Sequence, residues 1–307
     1  MNLRHVISVS QFLNRDLLSH LFALADEMEG GDQKKTLAPT LSNKIMATVF
    51  YEPSTRTRFS FECAMQKLGG SIITTENAAS FSSAAKGESL QDSIRVIGGY
   101  ADVIVLRHPE KGSSQIASEV SSVPIINAGD GAGEHPTQAL LDLYTIKKEL
   151  GTLENLKIAI VGDLLHGRTV HSLTHLLTLY PTNTIYLISP SQLQLPDNYK
   201  ENLRNAGVSF QEFGNLKEIL GNADVVYMTR IQKERFSSDE EYEKLKNSYV
   251  FDREALSLLK ESAIIMHPLP RVSEIPPEGD QDRRAAYFRQ AKNGVYIRMA
   301  LLQMILG

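Results

Sequence analysis

The chain has 307 residues, 42% hydrophobic and 22% charged, with no tryptophan, a length that exceeds one ordinary core and fits two domains. Net charge is −4 with both signs interspersed, which points away from nucleic acid and from an acidic membrane surface. The single cysteine, Cys63, excludes an intrachain disulfide and a cysteine-based metal cluster, and it suits a reducing compartment. No run is long enough to cross a bilayer, and no cationic segment followed by an apolar one opens the chain, so cytoplasm is the expected location.

In chain order, Ser10 reads as the N-cap of a helix running to about Glu29, striped by Phe12, Leu17, Leu21 and Leu24. Ile45 to Phe50 is expected as a buried strand. The turn Glu52-Pro53-Ser54-Thr55-Arg56-Thr57-Arg58 follows, and Phe59, Cys63 and Leu68 mark a helix stopped by Gly69-Gly70. Cys63 is expected on the core side of that helix as a small apolar residue. The turn gathers three hydroxyls and two guanidiniums around one helix N-terminus. Free N–H groups and the helix dipole favour an anion there, and guanidiniums grip phosphate oxygens two at a time.

Ser71 to Thr75 is a second strand. Glu76 to Gly87 is a run of small and polar residues, a length uncommon inside compact domains unless it binds something or is disordered. Leu90, Ile94 and Ile97 mark a helix, and Ala101 to Leu106 a strand ending in Arg107-His108-Pro109. A short helix around Ile116 leads to the strand Val123 to Ile126. The glycine-rich turn Asn127 to Gly133 opens into His135-Pro136-Thr137-Gln138 and a helix with Leu140, Leu141, Tyr144 and Leu150 as core candidates.

After Gly151 the alternation restarts, with strands at Lys157 to Val161, Thr184 to Ile188, Val208 to Phe213, Asp224 to Met228 and Ala263 to Met266. Gly162 to Arg168 is a turn at the mouth of a helix reaching Tyr180. Thr229-Arg230-Ile231-Gln232 leaves the fourth of these strands, and Lys233 to Lys246 is a solvated face or mobile loop. The last strand empties into His267-Pro268-Leu269-Pro270-Arg271. Two helices close the chain, the final one apolar along Tyr296, Met299, Leu302 and Ile305.

Strands alternating with helices predict an α/β fold of two doubly wound parallel-sheet, Rossmann-like domains joined by helices. The expected domains are 1–150 and 151–291, with the C-terminal helix at about 292–307 packing back on the first. Ligands of such sheets bind beyond the carboxyl ends of the strands. Arg56, Arg107 and His135 in the first half, and Arg168, Arg230 and His267 in the second, all follow strands. Any one of them reads equally well as a surface or capping residue. Together they predict a cleft between the domains for small anionic substrates. The turn Gly-Asp-Leu-Leu-His-Gly after Val161 lacks the spaced glycines of a dinucleotide site, and no Walker-type loop occurs. His166, His171 and His175 share a helical neighbourhood, but no carboxylate completes a metal-ligand spacing, so capping or surface roles are expected.

The segments Ser54-Thr55-Arg56-Thr57-Arg58, Lys86-Gly87-Glu88, Leu106-Arg107, His135-Pro136-Thr137-Gln138, Gly167-Arg168-Thr169, Thr229-Arg230-Ile231-Gln232 and His267-Pro268-Leu269-Pro270-Arg271 stand in this order. Together they resemble the catalytic chains of the aspartate carbamoyltransferase family, almost end to end. Ornithine carbamoyltransferases are similar in the first half but have a cysteine in the last motif, where this chain has Pro268. Ser273 departs from the family, which often has aspartate after Arg-Val.

The resemblance implies transfer of the carbamoyl group of carbamoyl phosphate to the amino group of L-aspartate, giving N-carbamoyl-L-aspartate and phosphate. That is the second step of pyrimidine synthesis. It implies no metal, no redox cofactor and no covalent intermediate; the protein positions reactants and stabilises charge. The first domain would bind carbamoyl phosphate and the second aspartate. By the same resemblance Ser54, Thr55, Arg56 and Thr57 hold the phosphate, and Arg56 stabilises the leaving oxygen. Thr57, Arg107 and His135 point at the carbonyl oxygen. Gln138 and the backbone carbonyls of Pro268 and Leu269 fix the carbamoyl NH2, with Leu269-Pro270 a candidate cis peptide. Arg168, Arg230 and Gln232 take the carboxylates of aspartate.

Ser82 and Lys86 ride on the long loop, which in the family enters the cleft of the neighbouring subunit. A homotrimer with shared sites is therefore implied, with Lys86 serving both substrates. Arg56, Thr57, Lys86, Arg107 and His135 form the expected catalytic set, and Glu52 is expected to hold Arg168 or Arg235. Left open at this point are another amino acceptor such as ornithine, a non-catalytic anion-binding homologue, and regulatory or dihydroorotase partner chains.

Overall fold

The computed structural model describes residues 3–78, 86–232, 236, 238–246 and 248–307. Ser82 and Arg235 lie outside the described residues. The chain forms two units, Met1–Leu141 with Lys292–Gly307, and Asp142–Ala291.

In the first unit Ser8, rather than Ser10, caps the opening turn. Its hydroxyl accepts from the Ser10 N–H while the Gln11 side chain accepts from the Ser8 N–H, closing a 3-10 turn at Val9–Phe12. Helix α1 (Arg15–Lys34) then starts on Asn14, whose side chain accepts from the Leu17 N–H. The single helix expected from Ser10 is thus two elements with two caps.

Strands β1 (Ile45–Phe50), β2 (Ser71–Glu76), β3 (Val103–His108) and β4 (Ile125–Asp130) form a parallel sheet in the order β2-β1-β3-β4. Helices α2 (Thr55–Lys67), α3 (Leu90–Gly98) and α4 (Ser113–Val120) connect or follow them. Ala47, Val49 and Tyr51 pack with Ile94 of α3 and Ala117 of α4, while Thr48 on the opposite face bonds Glu62 of α2. Cover on both faces is why β1 reads as a run of apolar residues broken only by Thr48. In α2 the buried stripe is Thr57, Phe61, Ala64 and Met65, continued by Leu68. Phe59 is out of phase with that repeat and 53% exposed, and Cys63 is only half-buried, which corrects the expected stripe. β4 runs to Asp130 rather than Ile126, because its pairing with β3 resumes at His108 and Asp130. A short N-terminal stretch joins the sheet beside β4: the Val6 N–H donates to Ile125 O at 2.8 Å and the Asn127 N–H to Val6 O at 2.7 Å.

Helix α5 (Pro136–Leu150) begins in the first unit and ends in the second, the division falling at Leu141 and Asp142 rather than after residue 150. The second unit continues through β5 (Lys157–Val161), α6 (Arg168–Leu177), β6 (Thr184–Ile188), α7 (Asp197–Asn205), β7 (Ser209–Phe213) and β8 (Val225–Met228). Then come α8 (Asp239–Leu245), inside the stretch expected as a solvated face or loop, α9 (Arg253–Leu258) and β9 (Ile264–Met266). Its sheet is parallel in the order β7-β6-β5-β8-β9. Val161, Ile188, Met228 and Ile265 pack with Leu220, Phe251 and Tyr287 in its core.

One long helix, α10 (Tyr287–Leu306), closes the chain after a 3-10 turn at Pro277–Gln281, in place of two helices. Its last residues belong to the first unit. There Arg298 lies 4.9 Å above the Phe61 ring, Tyr296 donates to Asp32 at 3.2 Å, and Gln303 accepts from Thr40 at 2.5 Å.

Strand order reverses between β1 and β3 in one sheet and between β5 and β8 in the other. Those two switch points are where open α/β sheets leave room for ligands.

Candidate active site

The N-terminus of α2 lies at the first switch point. Its first intrahelical bond runs from the Arg58 N–H to Ser54 O at 3.0 Å, so the Thr55, Arg56 and Thr57 N–H groups precede the ladder. The Ser54 side chain makes no capping bond. The first-turn N–H groups of a helix point out of its N-terminus, and about half an elementary positive charge there favours an anion. Ser54 is half-buried, Thr55 and Arg56 are exposed, and Thr57 is buried. Arg58 does not join them. Its guanidinium turns back to Glu62 at 3.4 Å, Thr74 at 3.3 Å and Glu76 at 3.0 Å, tying α2 to β2. The second guanidinium counted in the sequence turn is structural.

Arg107, near the end of β3, faces the same turn from across the switch point. Phe50 and Arg107 are register partners, and the Tyr51 N–H donates to Arg107 O at 2.9 Å. The Arg107 guanidinium donates to Ala128 O at 3.2 Å and lies 3.5 Å from Glu52. Glu52 thus braces Arg107 within its own unit; Arg235, one of the two partners expected for it, lies outside the described residues. His108 turns away: its Nδ1 accepts from the Glu110 N–H at 3.1 Å, and its ring lies 4.6 Å from that of Tyr51. Burial pushes the His108 pKa down, against the opposing pull of Glu110, Glu52 and Asp130.

His135 is buried at the start of α5, its carbonyl accepting from the Gln138 and Ala139 N–H groups at 3.0 and 3.2 Å. Gln138 sits half-buried in the first turn of the helix. Asp130, which the sequence reading passed over, organises this corner. One oxygen accepts from the Gly112 N–H at 2.8 Å and the other from the Glu134 N–H at 2.7 Å, joining the loop after Arg107 to the turn before His135. The signal in the sequence was the Asp130-Gly131 pair, a turn dipeptide. Gly131 has φ 52°, and a Cβ there would run into the Pro109 carbonyl. Gly131→Ala should therefore cost about 1–3 kcal/mol, read as a lower urea midpoint. A variant as stable as the parent would refute that account.

Lys86 is exposed just ahead of Ser89, which caps α3 by accepting from the Asp92 N–H at 3.1 Å.

In the second unit the named residues follow three neighbouring strands. Arg168 opens α6 after β5, Arg230 and Gln232 follow β8, and Pro268 and Leu269 follow β9. All five are half-buried. The β5 and β8 ends close on each other: Gly162 has φ 116°, and a Cβ there would meet the Thr229 carbonyl. The Leu269-Pro270 peptide is cis.

Beneath that turn runs a buried hydrogen-bond chain. Tyr227 donates to Asp142 at 2.7 Å, Gln290 donates to the other Asp142 oxygen at 2.7 Å, and the His267 N–H donates to Gln290 at 2.9 Å. His267 Nδ1 accepts from the Leu269 N–H at 2.7 Å, so the ring proton sits on Nε2 and is donated to Glu274 at 2.8 Å. Burial pushes the Glu274 carboxyl up, but His267 and nearby backbone N–H groups outweigh it and hold the carboxyl below its ordinary range. His267 is thus a support for Pro268 and Leu269. Arg271 is held by Asp280 at 2.6 Å and by the Tyr287 hydroxyl at 3.1 Å, and the exposed Ser273 gives its N–H to Glu274 at 3.1 Å. His171 stacks on Tyr199 with ring centroids 4.3 Å apart, and His166 lies 3.3 Å from Asp163.

Residues 4–148 match the family described as aspartate/ornithine carbamoyltransferase, carbamoyl-P binding domain. Residues 154–305 match its Asp/Orn binding domain. The chain is 51% identical to the chloroplastic aspartate carbamoyltransferase of Arabidopsis thaliana over 99% of this chain and 78% of that protein. Among solved structures, the catalytic subunit of M. jannaschii aspartate transcarbamoylase is 49% identical with a TM-score of 0.91, covering 99% of this chain and 98% of that one. The Trypanosoma cruzi aspartate transcarbamoylase in complex with N-(phosphonacetyl)-L-aspartic acid is 40% identical with a TM-score of 0.93, covering 99% and 96%.

Proposed function

We infer the activity from the family: the chain belongs to the aspartate/ornithine carbamoyltransferase family, and it transfers the carbamoyl group of carbamoyl phosphate to the amino group of L-aspartate in pyrimidine synthesis. The observation that carries this reading is 51% identity over 99% of the chain to a protein bearing that name.

The chemistry suits the donors described. An uncharged amine attacks the carbamoyl carbon, negative charge builds on the carbonyl oxygen, and phosphate departs with the bonding pair of the C–O bond. Donors fixed in advance around both oxygens lower that barrier without reorganising. We assign the phosphate to Ser54, Thr55, Arg56 and Thr57, supported by the uncapped α2 N-terminus. Arg107 and His135, with Thr57, take the carbonyl oxygen, and Gln138 takes the carbamoyl NH2 together with the Pro268 and Leu269 carbonyls. Arg168, Arg230 and Gln232 take the two carboxylates of aspartate, a set of charges suited to a dianion. Lys86 and Ser82 complete the site from a neighbouring chain of a homotrimer. We propose a cytoplasmic location, in keeping with the lone Cys63.

A carbamoyl-transfer assay with aspartate, ornithine and other amines tests the reading. Turnover with aspartate is expected; no turnover, or turnover only with another amine, refutes it. N-(phosphonacetyl)-L-aspartic acid joins a phosphonate to an aspartate, so it should inhibit in competition with carbamoyl phosphate. At a hundred times its Kd it should stabilise the fold by about 2.7 kcal/mol, visible as a raised Tm. An unmoved Tm at saturating concentration would count against the assigned residues.

A further inference from the structure

His135 is delivered by a turn that Asp130 and backbone bonds close on itself. Between Asp130 and Glu134 stand Gly131, the exposed Ala132 and Gly133, which carry no side chain beyond a methyl group. The turn nevertheless has one side chain that reaches out of it. The Glu134 carboxylate accepts from the Ser8 hydroxyl at 2.8 Å with one oxygen and from the Val9 N–H at 2.7 Å with the other. Those donors are fixed in turn. The Ile7 and Ser8 N–H groups both donate to Gln11, at 2.7 and 3.1 Å, and Val6 is laddered to β4 through both its N–H and its carbonyl. The Asn127 side chain adds a bond to Ile7 O at 2.9 Å.

The connections form a closed circuit. β4 leads into the turn, the turn ends at Glu134, Glu134 grips Ser8 and Val9, and that segment lies paired along β4 again. A slip of the turn along the sheet would stretch charge-assisted bonds at one end while the ladder holds the other. The residue at the junction of this circuit with α5 is His135.

We propose that Glu134 is a positioning residue whose carboxylate, clamped by Ser8 and the Val9 N–H, sets His135 for the acyl oxygen. The reaction named in this proposal rests on the function inferred above; the placement of His135 does not. Ser8 and Val9 are thereby part of the apparatus of the site, although they lie far from it in sequence and touch no substrate.

Four proteins test this: the parent, Glu134→Ala, Glu134→Gln and Ser8→Ala. Glu134→Ala should lower kcat about ten- to a hundredfold, the scale of a displaced donor. The KM for aspartate and inhibition by inorganic phosphate should change less than about twofold, because those contacts lie elsewhere. Glu134→Gln keeps an oxygen for the clamp and should stay within about threefold of the parent, with Ser8→Ala falling between. The ring NMR signals of His135, assigned by their loss in His135→Asn and recorded without substrate, should move in Glu134→Ala and Ser8→Ala and stay put in Glu134→Gln. That measurement reads placement even if the parent proves inactive on aspartate, a result that would refute the activity and not the clamp. Unmoved His135 signals in both clamp variants, or a kcat loss no larger than the loss of folded protein by circular dichroism, would overturn the proposal. Where Glu134→Ala does not fold, Ser8→Ala, which keeps the Val9 bond, decides it alone.

Discussion

Arg56→Ala should lower kcat about a hundred- to a thousandfold, the usual consequence of removing one donor aimed at developing charge, and leave Tm within about 2 °C of the parent. Arg56 is exposed in the first turn of α2, so its truncation opens no hole in the core. Arg58, two positions on, should show the opposite pattern. Its guanidinium is shared among Glu62, Thr74 and Glu76, and its loss leaves the 12% exposed Glu62 carboxylate with only hydroxyl donors from Thr48 and Thr74. Arg58→Ala should cost about 1–3 kcal/mol of stability while the folded enzyme retains most of its kcat. Steady-state rates and urea melts on the two variants separate the roles. If both lose activity alike, or if Arg56→Ala turns over like the parent, the division of labour proposed for this turn is wrong.

Chains carrying Arg56→Ala and chains carrying Lys86→Ala should each be nearly inactive alone and recover activity when dissociated, mixed and reassembled. In a ring of three, each proposed site pairs Arg56 of one chain with Lys86 of the next. Random mixing of equal amounts then restores an intact pair at about one site in four, the chance that two independent neighbours are of the required kinds. The recovered rate should approach about a quarter of the parent's, against backgrounds of about a hundredth or less. Activity no higher than the parental mixtures before reassembly would rule out sites shared between chains. Lys86 would then act on its own chain or not at all.

The fold was legible where the local pattern was unambiguous. Ile45–Phe50, Lys157–Val161 and Thr184–Ile188 run as strands over the bounds read from the sequence, because a strand covered on both faces needs mostly apolar side chains. Helix starts were less legible. Ser10 and Asn14 both qualify as caps by type, and only the Gln11 side chain returning to Ser8 decides the first turn. Phe59 misled for a related reason: aromatic character suggested a core residue, but the repeat of Thr57, Phe61, Ala64 and Met65 places it on the solvent side.

For the site, the cationic residues stood out because they follow strands, and chain order tells that much. Strand order is not written locally, so the two switch points, and Arg107 facing the 52–57 turn across one of them, appear only in the sheet. Anionic partners were the hardest to see. Nothing in the local sequence of Glu52, Asp130 or Glu134 names Arg107, Gly112 or Ser8 as its partner, and even the nearest of these pairs is 18 residues apart.

The division of the chain has a consequence for its synthesis. Residues 292–307 belong to the first unit, yet all of 142–291 leaves the ribosome before them. Until they emerge, Phe61 lacks the Arg298 guanidinium over its ring, and Asp32 and Thr40 lack Tyr296 and Gln303. The half made first is finished last. A nonsense codon in the stretch encoding 292–307 would therefore injure the first unit, whose other residues were made long before, and a nascent chain stalled there would hold a settled second unit and an open first one.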